Sequence, residues 1–525
     1  MKTTAGSILR HSINISAVTF FSRLLGLVRV KLEALVLGGD ALASGWFFAF
    51  ALPNLARRLF GEGALGQAFI PLVADAEKNG GKSLVRKQLI TVFAWLGIFL
   101  AILCIAVSGA AVLLSHIYRA ELAAEINARY RIFLYLVPFL APYSIFICLV
   151  GVMTAVLNYF KIFVLPALGS LLLNIFMIAA LLCFGGRTVA VTDLKFLSFA
   201  VLASGLTQLL MMLILLKIYG CFPDFKKKSI LKDKIICDLA KLALPGFISG
   251  AVVQASFLAD RGVAILIGNK AIPALTYVDR LIDIPIGIFA VSMSSVLMAS
   301  MSRSAASGNI RAITDDLTNS LRQIFFICVP MAAGIAFFHE ILIRLLCYGG
   351  KFTAEDLAAT KLVCIFYSIG IPFFCTLKAI TPCFLARKKM KTVCIVSIAA
   401  VILNIGLNLI LMHPLKQGGI ALATVFSSLL NNLTLLWLLH REGFALPFAK
   451  LGRDLLKCAA IALLCGIVVS QSGLAKCDLS VSWGRQFAGF TVAAMIFVAG
   501  YFGIAALCRF PEIKEILALR RKNAA

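Results

Sequence analysis

Arg23, Arg29, Lys31 and Glu33 fall inside "SRLLGLVRVKLEALV" (22–36), a stretch that is otherwise almost wholly apolar. Further bases sit within apolar runs at Arg57, Arg58, Arg261, Arg280 and Lys378. An arginine at the centre of a membrane helix costs roughly 2.5–3.5 kcal/mol on insertion scales. Several of these side chains are too deep to reach an interface, so they must face protein or a water-accessible cavity. Helical geometry places Ser22, Gly26, Arg29 and Glu33 on one face, with Arg23 on the face beside it. Arg29 and Glu33 are an i,i+4 pair, as are Arg58 and Glu62. Asp279, Arg280 and Asp283 repeat the arrangement, and Asp260 precedes Arg261 directly. Eight bases thus stand against five acids, and the set is net positive. Guanidinium forks bind phosphate bidentately, so the chemistry on offer is recognition of an anion, phosphate in particular. The competing reading is a set of inter-helix salt bridges that only fix packing.

The elements that position these residues follow from composition. Of 525 residues, 61% are hydrophobic and 14% charged, and the mean hydropathy is +0.98. A soluble fold could not cover that much apolar surface with so few charges, so the chain reads as an all-α polytopic membrane protein. About 20 apolar residues cross a bilayer. Fourteen candidate spans fit, near 12–37, 42–75, 88–116, 129–158, 162–183, 194–219, 236–267, 271–304, 315–346, 355–386, 391–412, 418–441, 451–471 and 485–509. With the N-terminus inside, most loop Lys and Arg fall on the cytoplasmic side, including "FKKKSILKDK" and "ARKKMK". That predicts cytoplasmic termini. Lys2 and Arg10 before an apolar stretch could pass for a signal peptide, but Arg23 and Arg29 interrupt the apolar core and no small-residue cleavage site follows.

The basic loop at 220–234 divides the chain into two six-span lobes (1–220 and 235–441), a final helix pair (451–509) and a tail (510–525). Two six-span halves fit the internal repeats of secondary transporters. The intramembrane charges cluster in spans 1, 2, 7 and 8, the leading helices of each half. A central cationic cavity between the halves is the expectation.

Other motifs carry less. The net charge of +26 would suggest nucleic acid on a soluble chain, but here it lies in loops between spans, and no nucleic-acid partner is expected. "GEGALG" (61–66) is a literal G-x-G-x-x-G, yet it lacks the strand and βαβ unit of a dinucleotide site. No Walker sequence, nucleophile elbow or metal-binding helix pattern occurs. Asp279 and Asp283 flank Arg280 and read as ion-pair partners more than as a catalytic dyad. The fifteen Cys form no C-x-x-C pair and read as small buried hydrophobes. No cofactor is expected. One ion set is worth weighing: Asn404 and Asn408 share a face, Thr424 begins the next span, and Asp260 supplies a carboxylate. These hard oxygens suit a coupling Na⁺, against the plainer role of bridging transmembrane helices.

The stretch "SRLLGLVR…WFFAFALPNLARRLFGEGALGQAFIPLVAD" (22–75) resembles the MurJ/MviN family, lipid II flippases of the multidrug/oligosaccharidyl-lipid/polysaccharide exporter superfamily. The resemblance continues through "LADR" (258–261), "YVDRLIDIPIGIFAVSMSSVLMASMSRS" (277–304), "YGGKFTAEDLAAT" (348–360) and "HPLKQGGIALAT" (413–424). It implies two six-helix lobes, with the last two helices forming a lipid-facing groove. It implies translocation of undecaprenyl-pyrophosphate-linked peptidoglycan precursor across the bacterial inner membrane by alternating access. The family's central arginines map to Arg23, Arg29, Arg57 and Arg280, and Ser22, Asn54 and Glu62 match other polar positions. Arg58, Arg261 and Asp279 complete the candidate substrate-binding set. Ser44, Ala51 and Val30 stand where many members carry Asp, Lys and Asp. Lipid II, membrane lipids and the peptidoglycan-synthesis and division proteins are the expected partners. Alternatives are a flippase for another polyprenyl-linked oligosaccharide, a drug antiporter of the same superfamily, or a non-transporting envelope scaffold. The net-positive set argues against a cationic drug, and a scaffold would not need eight intramembrane bases.

Overall fold

The computed structural model describes residues 5–61, 64–117, 124–224, 235–287, 291–387 and 389–513. Among them no β-strand occurs, and the architecture is all helix. The chain forms two compact units.

The first unit runs from Met1 to Arg261 and includes two later segments, Gly268–Pro273 and Gly349–Phe352. It holds α1 (Ala5–Leu37), α2 (Ala41–Ala56), a π turn (Arg57–Gly61), α3 (Ala64–Ile117), α4 (Ala124–Leu140), α5 (Tyr143–Tyr159), the short α6 (Val164–Ala167), α7 (Gly169–Cys183), α8 (Leu194–Ile218) and most of α9 (Ile235–Ile267). The second unit holds α10 (Ala271–Pro285) from Ala274 on, α11 (Val291–Ala306), α12 (Ile310–Phe337), α13 (His339–Cys347), α14 (Ala354–Ala386), α15 (Met390–Leu415), α16 (Gln417–Arg441), α17 (Phe448–Gln471) and α18 (Trp483–Leu507).

Among the described residues ten helices are long and apolar enough to cross a membrane, and the bent pair α4–α5, kinked by 49°, makes eleven. The remaining expected spans, 1, 2 and 8, are helical but differ in kind. In α1 four charges fall between Arg23 and Glu33, and α2, α10 and α11 have 16, 15 and 16 residues. These segments carry all the candidate substrate-binding arginines but Arg261, which lies in α9, so polarity and interruption largely go together.

The second span is less simple than its hydropathy predicts. Pro53 lacks an N–H and so weakens the end of α2. The chain then widens into the π turn, a form common at functional sites. Gly61, in that turn, packs directly on α5: a Cβ at Gly151 would collide with the Gly61 carbonyl. No loop separates spans 2 and 3. They are continuous in α3 except at Gly81, whose φ of 59° breaks the helix where only glycine is unstrained. In the eighth span, α10 likewise ends in π geometry at Ile286 and Gly287.

Within the first unit, α1 packs on α7, α2 on α4, and α5 on α3 and α8. The backbone N–H of Lys351 donates to the Leu35 carbonyl at the end of α1 (2.9 Å), which fixes the Gly349–Phe352 segment there. In the second unit α14 is central, packed by α11, α12 and α16. It starts with a capping box: Thr353 Oγ1 accepts from the Asp356 N–H, and Asp356 Oδ2 accepts from the Thr353 N–H. The final pair α17–α18 buries Cys458, Ala462, Phe497 and Tyr501 against Phe326 and Phe338. Tyr501 donates its hydroxyl to the Phe326 carbonyl (3.0 Å).

Candidate functional site

α1 carries its polar face against α7. Ser22 Oγ lies 3.1 Å from Ser170 Oγ, and the Asn174 amide donates to the Ser22 carbonyl (3.0 Å). One to two turns on, Arg29 reaches Met177 Sδ (3.7 Å) and pairs with Glu33 (3.6 Å). Ser170, Asn174 and Met177 recur at helical spacing, so α7 presents one stripe to the matching stripe of α1. Arg29 and Glu33 are 6% and 4% exposed. The i,i+4 pairing read from the sequence is therefore present and buried, and burial in low dielectric makes the pair costly to break. Arg23, on the adjacent face, is partly exposed.

Arg57 and Arg58 occupy the π turn after α2. Arg58 is exposed, and its guanidinium stacks over Phe257 of α9 at 5.6 Å. Arg261, buried, approaches the same ring at 4.9 Å and donates to the Ile272 carbonyl (3.4 Å). One aromatic ring thus holds two cations, an arrangement favoured by the ring quadrupole. Asn54 is partly exposed and donates within α2 to the Phe50 carbonyl (3.0 Å). Glu62 lies outside the described residues. Ser44 donates to the Asn269 carbonyl, and Arg129 donates to the Asn269 side chain (3.1 Å).

In the second unit, Asp279 and Arg280 are partly exposed on α10 and Asp283 is exposed. Asn404 donates to Thr424 Oγ1 (3.3 Å) and Asn408 donates to Asn404 Oδ1 (3.2 Å). Both asparagines are buried between α15 and α16, so three of the four candidate ion ligands form one hydrogen-bonded ladder. Asp260, the fourth, is buried on α9 in the first unit. Among the described residues, no three His, Cys, Asp or Glu side chains gather as metal ligands.

Sequence reasoning missed a second group of charges. Arg322 of α12 pairs with Asp454 of α17 (3.0 Å) and Glu512 beyond α18 (3.2 Å). Arg344 of α13 donates to the carbonyls of Asp478 and Val481 (2.7 Å to Val481), and Trp483 donates to Leu345 O (3.1 Å). Arg387 and Lys389 share Glu442. A signal was available for the first: Arg322 lies within the expected span at 315–346, and a charge buried there demands a partner.

Multiple membrane-spanning helices, with bases on α1 and in the π turn after α2, define a polytopic helical membrane protein. The family model described as lipid II flippase MurJ matches residues 34–482. The chain belongs to the MurJ family, and it is a transporter, a lipid II flippase, and not an enzyme. The probable lipid II flippase MurJ of Rhizobium tropici is 30% identical over 476 residues, 89% of this chain and 87% of that protein. That of Vibrio cholerae is 28% identical over 514 residues, 96% of each. A solved lipid II flippase MurJ in an inward closed conformation shares the fold, with a TM-score of 0.77 at 24% identity, covering 95% of this chain and 100% of the other. An inward-facing multidrug resistance MATE family transporter shares it more distantly, with a TM-score of 0.64 at 15% identity over 82% of this chain and 96% of its own.

Proposed function

We propose that the pyrophosphate of lipid II is held by Arg23, Arg29, Arg57 and Arg280, and carried from the inner to the outer leaflet by alternating access of the two six-span lobes. The observation that carries this reading is the excess of base over acid between Ser22 and Glu62, five to three, over the first two expected spans and the turn that joins them. A dianionic diphosphate compensates such an excess, and arginine forks fit its oxygens. Arg58, Arg261, Asp279, Asn54, Ser22 and Glu62 shape the cavity around the headgroup. The polyprenyl chain stays in lipid along α17 and α18. The bacterial cytoplasmic membrane is the location, with both termini inside, where the basic loops face the cytoplasm. Proteins of peptidoglycan synthesis and division are the partners such an activity would meet.

Direction needs a source of free energy, and the membrane potential supplies about 2.3 kcal/mol per charge per 100 mV. We assign the drive to it, because Asn404, Asn408 and Thr424 already bond to one another. A Na⁺ gradient, acting through those residues and Asp260, is the alternative. A Na⁺-specific rise in the melting temperature of purified protein, lost in Asn408→Ala, would establish it.

The central test is depletion in cells followed by measurement of lipid II in the outer leaflet. Loss of exposure is expected. Normal exposure under full depletion, in cells lacking any second flippase, overturns the reading.

A further inference from the structure

The first unit contains an apolar cavity of about 210 Å³ between α2, α3 and the α4–α5 bend. Its origin is legible in the residues. Ala49, Ala56 and Ala141 are too small to fill the space, and the 49° bend after Leu140 draws the backbone of α5 aside. Only Ser144 brings an oxygen-bearing side chain to the wall. The Ala141 carbonyl is already taken by the Ser144 N–H (3.0 Å) and the Cys104 thiol (3.1 Å). A wall of this kind does not hold water: an apolar cavity of about 150 Å³ stays dry and accepts benzene.

The cavity is not sealed. Leu103 lines it and is also 38% exposed, so the void opens on the outward face of α3. That face is a continuous apolar surface that includes Phe99, Ile102 and Ile105, which are 48%, 63% and 74% exposed. In a membrane-spanning helix such a face meets lipid. The cavity is therefore a side branch of the protein–lipid interface. We propose that it is a lipid site, occupied by the end of a bilayer acyl chain that enters past Leu103. Concentration favours this occupant over any scarce lipid: acyl chains are the solvent here, so even weak binding fills the site by mass action. The chain would rest against Phe60, which lines the cavity from the π turn that bears Arg57 and Arg58. The occupant thereby buttresses the backbone that aims two of the site arginines.

The probe is phosphatidylcholine carrying a diazirine near the end of one acyl chain, in vesicles holding the full-length protein. After photolysis, mass spectrometry maps the labelled residues. Label is expected at Cys104 and Val107, which line the cavity, as well as at Ile102 and Ile105 outside it. Ala141→Leu and, independently, Ala49→Leu fill the void and should remove the inner label at least fivefold. The outer label reports correct insertion in each variant, and whichever variant retains it decides the outcome. Label confined to Ile102 and Ile105 in the wild type overturns the site. So does inner label that survives filling. Displacement of the inner label by an added polyprenyl phosphate overturns the acyl assignment in favour of a substrate tail.

Discussion

The arginines of the first three helical segments and those of the second unit are treated in opposite ways. Between Ser22 and Glu62 five bases meet three acids, and the described ion pair there is Arg29 with Glu33. In the second unit Arg322, Arg387 and Lys389 meet Asp454, Glu512 and Glu442, three against three, with each carboxylate in contact. Arg344 is capped by two carbonyls. The second group therefore sets three bases against three carboxylates, seats Arg344 on carbonyls, and fastens helix ends. By formal charge the first keeps an excess of two positives, and that excess is what the proposed diphosphate would answer. A charge in a membrane protein is a functional candidate by surplus, not by presence alone.

The largest effect expected from this contrast is at Arg29. Arg29→Glu should abolish lipid II translocation in depleted cells, because it turns a cation–anion pair into two acids beside the proposed diphosphate. Arg29→Lys keeps the charge, loses the planar fork, and should retain partial function. Both are checked by complementation and outer-leaflet lipid II, with membrane level measured in parallel. Full activity of the Glu variant at normal abundance would erase the distinction between the two groups.

Arg322→Ala should behave differently. Removing one partner of a buried ion pair costs about 3–5 kcal/mol, and at 16% side-chain exposure the low end applies. The expected result is a lowered melting temperature with lipid II affinity unchanged in the folded fraction. Adding Asp454→Asn and Glu512→Gln should recover much of the loss, because uncompensated carboxylates cause it. A fall in lipid II affinity without a fall in stability would move Arg322 into the first group.

Much of this contrast was legible in the sequence, and the rest was hidden for physical reasons. Long apolar runs such as those of α8 and α15 announced themselves, because length and hydropathy decide a span. The Arg29–Glu33 pair followed from i,i+4 spacing alone. The partners of Ser22 on α7 did not, since they lie 148 and 152 residues away and ordinary Ser and Asn carry no label of partner choice. Arg322 was visible as a charge inside an expected span, but naming Asp454 rather than the nearby Asp315 or Asp316 needed the packing of α12 on α17. The π turn after α2 was equally hidden. "GEGALG" marked a place of unusual backbone, and the close contact of Gly61 with Gly151 is a fact of tertiary structure.

That contact offers an intermediate effect. Gly151→Ala places a methyl against the Gly61 carbonyl, and the backbone must move. Overpacking of this kind costs typically about 1–3 kcal/mol. The displaced element is the π turn bearing Arg57 and Arg58, so transport should fall more than stability does. Gly97→Ala of α3 serves as the control, since a Cβ there meets nothing within 4 Å. Equal behaviour of the two variants would show that the π turn does not set arginine position.

The smallest effect belongs to Glu442, which follows α16 and lies outside the spans. Burial pushes its carboxyl up, but hydrogen bonds from Lys389 and Arg387 outweigh burial and hold it below the ordinary glutamate range. A depressed value means the folded state favours the ionised form. The stabilisation is thus present at pH above the unfolded glutamate value and is lost as pH falls through the lowered folded one. The pair is partly exposed, so screening keeps the effect within about 1 kcal/mol. Melting temperature followed from pH 7 down through the ordinary glutamate range to about pH 2 should show a step that Glu442→Gln removes, and lipid II affinity at pH 7 should be the same in both proteins. Loss of affinity in the Gln variant would mean that even a charge-balanced cluster of the second unit takes part in substrate binding. The division between surplus and closed charge would then fail at its most favourable case.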